Sequence, residues 1–157
     1  MYATRSDLPQ TALDNTMVLL QARLSDAVDL SGRMKQAYWS MIGVRSSERR
    51  EMLEALHDDI DTCIDVLSGR IAALSGVAER TIRITAIESS FGQYPLQARA
   101  GEQHQKTVRN LLARFGKKVR ADVEQASALG DVGTVDVLRL IARKVETQLW
   151  VADARLL

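Results

Sequence analysis

The spacing of apolar residues constrains this 157-residue chain more than any other feature. Leu13, Met17, Leu20, Leu24, Ala27, Ser31, Met34 and Tyr38 follow one another at steps of four and three. Such steps return to one face of an α-helix and mark a seam packed nearly parallel to its neighbours. The spacing predicts a helix from about Thr11 to Ser40, with Gly43 ending the region. A second stripe, Leu53, Leu56, Ile60, Ile64, Leu67, Ile71 and Leu74, closes at Gly76. Ser46 or Ser47 suits its cap, and Glu48 and Glu51 suit the positive end of the helix dipole. Val108, Leu111, Phe115, Val119 and Ala126 carry a third helix over roughly Glu102 to Leu129. After the turn at Gly130-Asp131-Val132-Gly133-Thr134, with Asp131 or Thr134 as cap, the fourth stripe is Val135, Leu138, Ala142, Val145, Leu149, Ala152 and Leu156.

Between Val77 and Gly101 the pattern weakens, and Tyr94-Pro95 punctuates it. The run RTIRITAIESSF is read as a short helix in this crossover, with a strand as the alternative suggested by its β-branched residues. Four amphipathic helices with their longest connection in the middle predict an all-α, ferritin-like four-helix bundle running up, down, down, up. The chain reads as a single domain over 1–157 with a short N-terminal tail at about 1–10. Composition agrees, since only 4% of residues are aromatic while Ala, Leu, Arg and Glu are common. A formal charge of +1 lacks the strong basic balance of a dedicated nucleic-acid binder. One cysteine, Cys63, excludes an intrachain disulfide and is expected to pack within the second helix. No signal-peptide pattern and no run of about 18 apolar residues is seen, so a soluble cytoplasmic protein is expected, with nucleoid association as the alternative.

Several stretches together resemble one family. LLQARLSDAVDL and KQAYWSMIG resemble the first-helix motif of the Dps proteins, the ferritin-like mini-cages that protect DNA during starvation. DVLSGRIAALSGVAERTIR, SSFGQYPL, GDVGTVDVL and LWVADARL continue the resemblance in order along nearly the whole chain. The resemblance implies a short helix in the crossover and a hollow twelve-subunit shell with two-fold and three-fold interfaces. It also implies a di-iron ferroxidase centre shared between two subunits at a two-fold axis.

At that centre the chain departs from the family pattern. The resemblance places the first histidine ligand at Tyr38, the second at Arg50, an aspartate at Asp65 and a glutamate at Gly69, with an assisting carboxylate at Glu54. Asp65 alone is retained among the four principal positions. A phenol with pKa near ~10 is a poor ferrous ligand at neutral pH, and a guanidinium has no lone pair to offer. Tyr38 is therefore expected to fill the vacated site, bonded through its hydroxyl to Asp65, with Arg50 and Asp65 paired across the interface. Whether the chain is an enzyme stays open. No tightly bound cofactor is expected, although the resemblance allows iron.

ALHDDID, at residues 55–61, looks like the family segment holding the second histidine but lies seven residues too late, about 10 Å along a helix. His57, Asp58 and Asp61 are read as a solvated face, with a divalent-metal cluster as the alternative. His104 receives no role. Near the family's three-fold pores Asp131 and Asp136 remain acidic while Val132 and Gly133 do not, so a weakened cation funnel is expected, or a simple cap at Asp131. Basic clusters at Arg45, Arg49 and Arg50, and at Lys117, Lys118 and Arg120, predict weak, salt-sensitive DNA binding at most. The favoured function is a structural or stress-protective shell subunit lacking the usual ferroxidase site, assembling with itself or with an active paralogue. The alternatives are an iron-oxidising, iron-storing mini-ferritin with displaced ligands and a nucleoid DNA-protection protein.

Overall fold

A computed structural model describes residues 7–42, 46–96 and 101–154. Five helices follow in order: α1 Gln10–Trp39, α2 Ser46–Ala73, α3 Ile82–Glu88, α4 Gly101–Ala128 and α5 Val132–Ala154. The four long ones form the expected bundle, with α1 packed on α2 and α4, and α5 packed on α4 and α2. The short α3 lies against α1 in the crossover.

Each boundary has a local cause. The Pro9 carbonyl accepts from the amides of Ala12 and Leu13 at 3.0 Å, opening α1 without a side-chain cap. At the end of α2, Ser75 takes the left-handed conformation at φ 63°, and the Gly76 amide reaches back to the Ile71 carbonyl at 2.9 Å. Gly76 serves close packing, because a Cβ there would lie 2.5 Å from the Met17 methyl carbon. Thr81 caps α3 by accepting from the Ile84 amide at 3.3 Å, and Thr85 is buried. The strand alternative for this run is thereby set aside. Gly43, Arg45 and Leu156 lie outside the described residues.

The stripes become the core. Leu20, Leu24, Ala27, Met34, Leu53, Leu67, Ile71, Phe115, Val119 and Leu138 are wholly buried. Met52, Leu112 and Ile141, which the seams omitted, are buried as well. A helix in a bundle buries a face wider than one a/d line, so residues flanking the seam also enter the core. Cys63 is among them, at 1% exposure. Burial pushes its thiol up to about 11, with the Lys144 cation pulling it part of the way back and Asp59 adding to the rise.

A thiol so placed is inert at neutral pH. Intact protein at pH 8 is expected to leave Cys63 unlabelled by a disulfide-exchange reagent over a time in which denatured protein gives one thiol per chain. The pH dependence follows from the raised pKa. This group's contribution to stability is complete below pH 9 and is lost as pH climbs through about 11, because only the unfolded thiol ionises readily in that window. Denaturation midpoints between pH 8 and pH 11, compared with Cys63→Ala, check this.

Candidate metal centre

Tyr38 sits in the last turn of α1 and is half-buried. Two cations flank its ring, Lys35 Nζ at 5.6 Å and the Arg50 guanidinium carbon at 5.8 Å from the centroid. Lys35 arrives there because residues three apart share a helix face. Arg50 arrives from the first turns of α2, where its Nη2 donates to the Met41 carbonyl at 2.9 Å. The Met41 carbonyl, just past α1, and the π-face of Tyr38 thus hold the same guanidinium.

Glu54, Asp65 and Gly69 are exposed along α2. Arg50 and Asp65 are fifteen residues apart on that helix, about 22 Å along its axis, so one chain cannot pair them. Gly69 opens onto free space, with nothing within 4 Å of a Cβ placed there.

The second acidic cluster is loose. His57 Nδ1 lies 3.5 Å from Asp61 and 3.6 Å from Asp58, beyond good hydrogen-bond length. Asp61 accepts from the Ser31 hydroxyl of α1 at 2.8 Å. Among the described residues no group of three or more His, Cys, Asp or Glu side chains is disposed to hold a metal ion.

At the start of α5 the cap is Asp131. Its carboxylate accepts from the Thr134 amide at 3.0 Å and the Thr134 hydroxyl at 2.6 Å. Arg70 of α2 donates to it at 2.6 Å, lying so close over Gly133 that a Cβ would meet the guanidinium at 2.9 Å. Asp131 is buried at 3% exposure, so within the chain its charge serves cap and ion pair, while Asp136 is exposed.

Two polar arrangements escaped the sequence reading. Arg23 of α1 donates to Asp122 of α4 and, at 2.5 Å, to Asp26, and all three are buried. Asp26 also accepts from the Ser90 amide at 2.8 Å and hydroxyl at 2.7 Å, and Lys118 lies 3.7 Å away. Burial pushes the Asp122 carboxyl up, and the hydrogen bond from Arg23 draws it back. The signal for Asp122 was present: the third seam steps from Val119 to Ala126, and Asp122 fills the missing helical step. In the second arrangement the Tyr94 hydroxyl lies 2.8 Å from Nδ1 of buried His104, with the rings stacked 5.9 Å apart. His104 therefore anchors the end of the crossover.

Comparison with known proteins bears on this geometry. No family model matches the chain. It is similar to a DNA protection during starvation protein from Brevibacillus brevis, at 26% identity over 138 residues covering 87% of this chain and 91% of that protein. Among solved structures DpsC from Streptomyces coelicolor superposes with a TM-score of 0.92 at 20% identity, covering 99% of this chain and 91% of that one. The fold is that of the Dps proteins. DpsA14 from Streptomyces coelicolor gives a TM-score of 0.90 at 26% identity, covering 97% of this chain and 90% of its own. Likeness in sequence as well as in fold to Dps proteins, over most of both chains, strongly supports membership of the Dps family. In such a fold the short α3 is the crossover helix, and Tyr38 and Arg50 stand beside the α1–α2 turn.

Proposed function

We propose that this chain is a subunit of a Dps-type shell whose inherited iron-oxidising centre has been replaced by a structural contact. The observation that carries this reading is the pair of cations flanking Tyr38. Iron would be substrate or cargo here, and the residues do not fit it. Ferrous ions need several oxygen or nitrogen donors around partly open positions. A guanidinium at one donor position, Arg50, and the Lys35 ammonium beside another, Tyr38, oppose a divalent cation instead. Gly69 supplies no donor, and Asp65 by itself cannot organise two irons. No oxidation step is derived through this site.

Self-assembly, as a homo-oligomer of Dps-type dodecameric size or mixed with an active paralogue, is supported by the surface. Trp39, Ile42, Ile82, Ile87 and Trp150 are between 68% and 88% exposed in the single chain. Apolar side chains of that size, gathered at helix ends and on the crossover, suit burial against further copies. Any DNA retention is proposed to be weak. In one basic cluster Lys118 already lies 3.7 Å from Asp26 and Arg120 lies 3.6 Å from Glu146. Among the described residues no helix is long and apolar enough to cross a membrane.

Native mass measured in parallel with iron content tests the reading. The expected result is a closed assembly of many subunits that, after ferrous loading in air and desalting, retains no more iron than an inert protein control. A monomer in dilute solution, or a mineral core, would overturn it.

A further inference from the structure

We propose a second site, an anion-binding groove between α4 and α5 that takes inorganic phosphate or a small phosphomonoester. The groove encloses about 260 Å³ and has Val123 and Ala142 among its lining residues. Arg120 enters from α4, and Arg139 and Arg143 enter from α5. The volume falls just below the ~300–1,000 Å³ of drug-sized ligand sites, so the occupant is small.

The charge arrangement selects an anion. Arg139 and Arg143 are four residues apart and so occupy one helix face, where like charges repel. Neither is in an ion pair among the described residues. Two carboxylates also line the groove. Glu146 stands 3.6 Å from Arg120, and Glu124 is one turn beyond Arg120 on α4. With three arginines against two glutamates the groove keeps a net positive charge, concentrated on the α5 pair. Guanidinium forks present parallel N–H donors matched to phosphate oxygens. A phosphate bridging Arg139 and Arg143 would turn their repulsion into shared attraction. Hydrogen phosphate is preferred over a monocarboxylate because its double charge meets both forks.

This site is independent of the Tyr38 surroundings and does not rest on the fate of the iron centre. Isothermal titration of the intact assembly with inorganic phosphate at low ionic strength tests it. Saturable binding in the sub-millimolar to millimolar range is expected, weakened at least roughly ten-fold in R139Q/R143Q and unchanged in R83Q, a residue of α3 outside the groove. E124Q is expected to tighten binding several-fold by removing a nearby negative charge. Acetate should bind more weakly than phosphate. A short oligonucleotide distinguishes free phosphate from a polymer source: retention of the oligonucleotide by R139Q/R143Q after phosphate binding is gone supports the small-anion assignment. Absence of saturable phosphate binding, equal binding by R139Q/R143Q, or oligonucleotide binding that needs both arginines without any response to phosphate would overturn it. Circular dichroism of each variant distinguishes loss of the site from loss of the fold.

Discussion

Ferrous iron added to the purified wild-type assembly is expected to oxidise no faster than in buffer, whereas Y38H/R50H/G69E is expected to accelerate it by roughly an order of magnitude or more. The three changes act on different obstacles. Arg50→His removes the guanidinium from the Tyr38 ring and the Met41 carbonyl and substitutes a neutral imidazole donor. Tyr38→His exchanges a phenol for the imidazole that the resemblance to Dps proteins implies at that place. Gly69→Glu costs little, because the position is exposed and a Cβ there meets no atom within 4 Å. Replacing a helical glycine should itself add about 0.5–1 kcal/mol of stability. Asp65 and Glu54 are exposed on the same helix, and on the proposed reading they would complete the donor set with a neighbouring copy. Oxygen uptake and ferric absorbance, followed after mixing with ferrous salt, decide the matter. Fast turnover in wild type that disappears in Asp65→Ala would overturn the proposal.

Arg23→Ala is expected to destabilise the fold by roughly 3–5 kcal/mol, because it strips the counter-charge from two buried carboxylates. For a chain of this length that corresponds to a fall of about 6–20 °C in thermal midpoint. Arg23 is 7% exposed, Asp26 1% and Asp122 6%, so water cannot replace the lost partner at the surface. Asp26 keeps Ser90 and the more distant Lys118, which leaves Asp122 as the more damaged group. R23M/D122N, which removes both members of the inter-helix pair, should recover much of the loss. The pH dependence has a definite sign. Burial raises the Asp122 pKa in the fold above its unfolded value, so the folded form takes up a proton first as pH falls. Without Arg23 that rise becomes larger, and the deficit of Arg23→Ala should shrink on acidification from pH 7 toward pH 5. Thermal melts across that interval check it, and a deficit that grows with acidification would contradict the argument.

The helices were legible because a 3.6-residue period is written directly into the order of apolar side chains. The Asp131 cap was legible for a related reason: it accepts from the backbone three residues on, so both partners lie in one short stretch. The left-handed residue at the end of α2 lay outside that reading, which closed the stripe at Gly76 without assigning a backbone conformation. A glycine invites the assignment of positive φ, yet Ser75 adopts it, and Gly76 makes room for Met17 from another helix. Likewise Lys35 and Tyr38 are neighbours by helix geometry alone, but Arg50 reaches the same ring only after the turn brings α2 back along α1.

From the sequence alone came the four long helices, the crossover and the resemblance to Dps proteins, with the proposal that three family ligand positions are replaced. All of these depend on residue identity and local spacing. Only the tertiary structure decided that Arg50 joins Lys35 at the Tyr38 ring, that Asp131 is held by Arg70, and that Arg23 pairs with Asp122, 99 positions along the chain. The physical reason is range. Backbone periodicity acts within a few residues, whereas a buried charge finds its partner across the packed faces of separate helices.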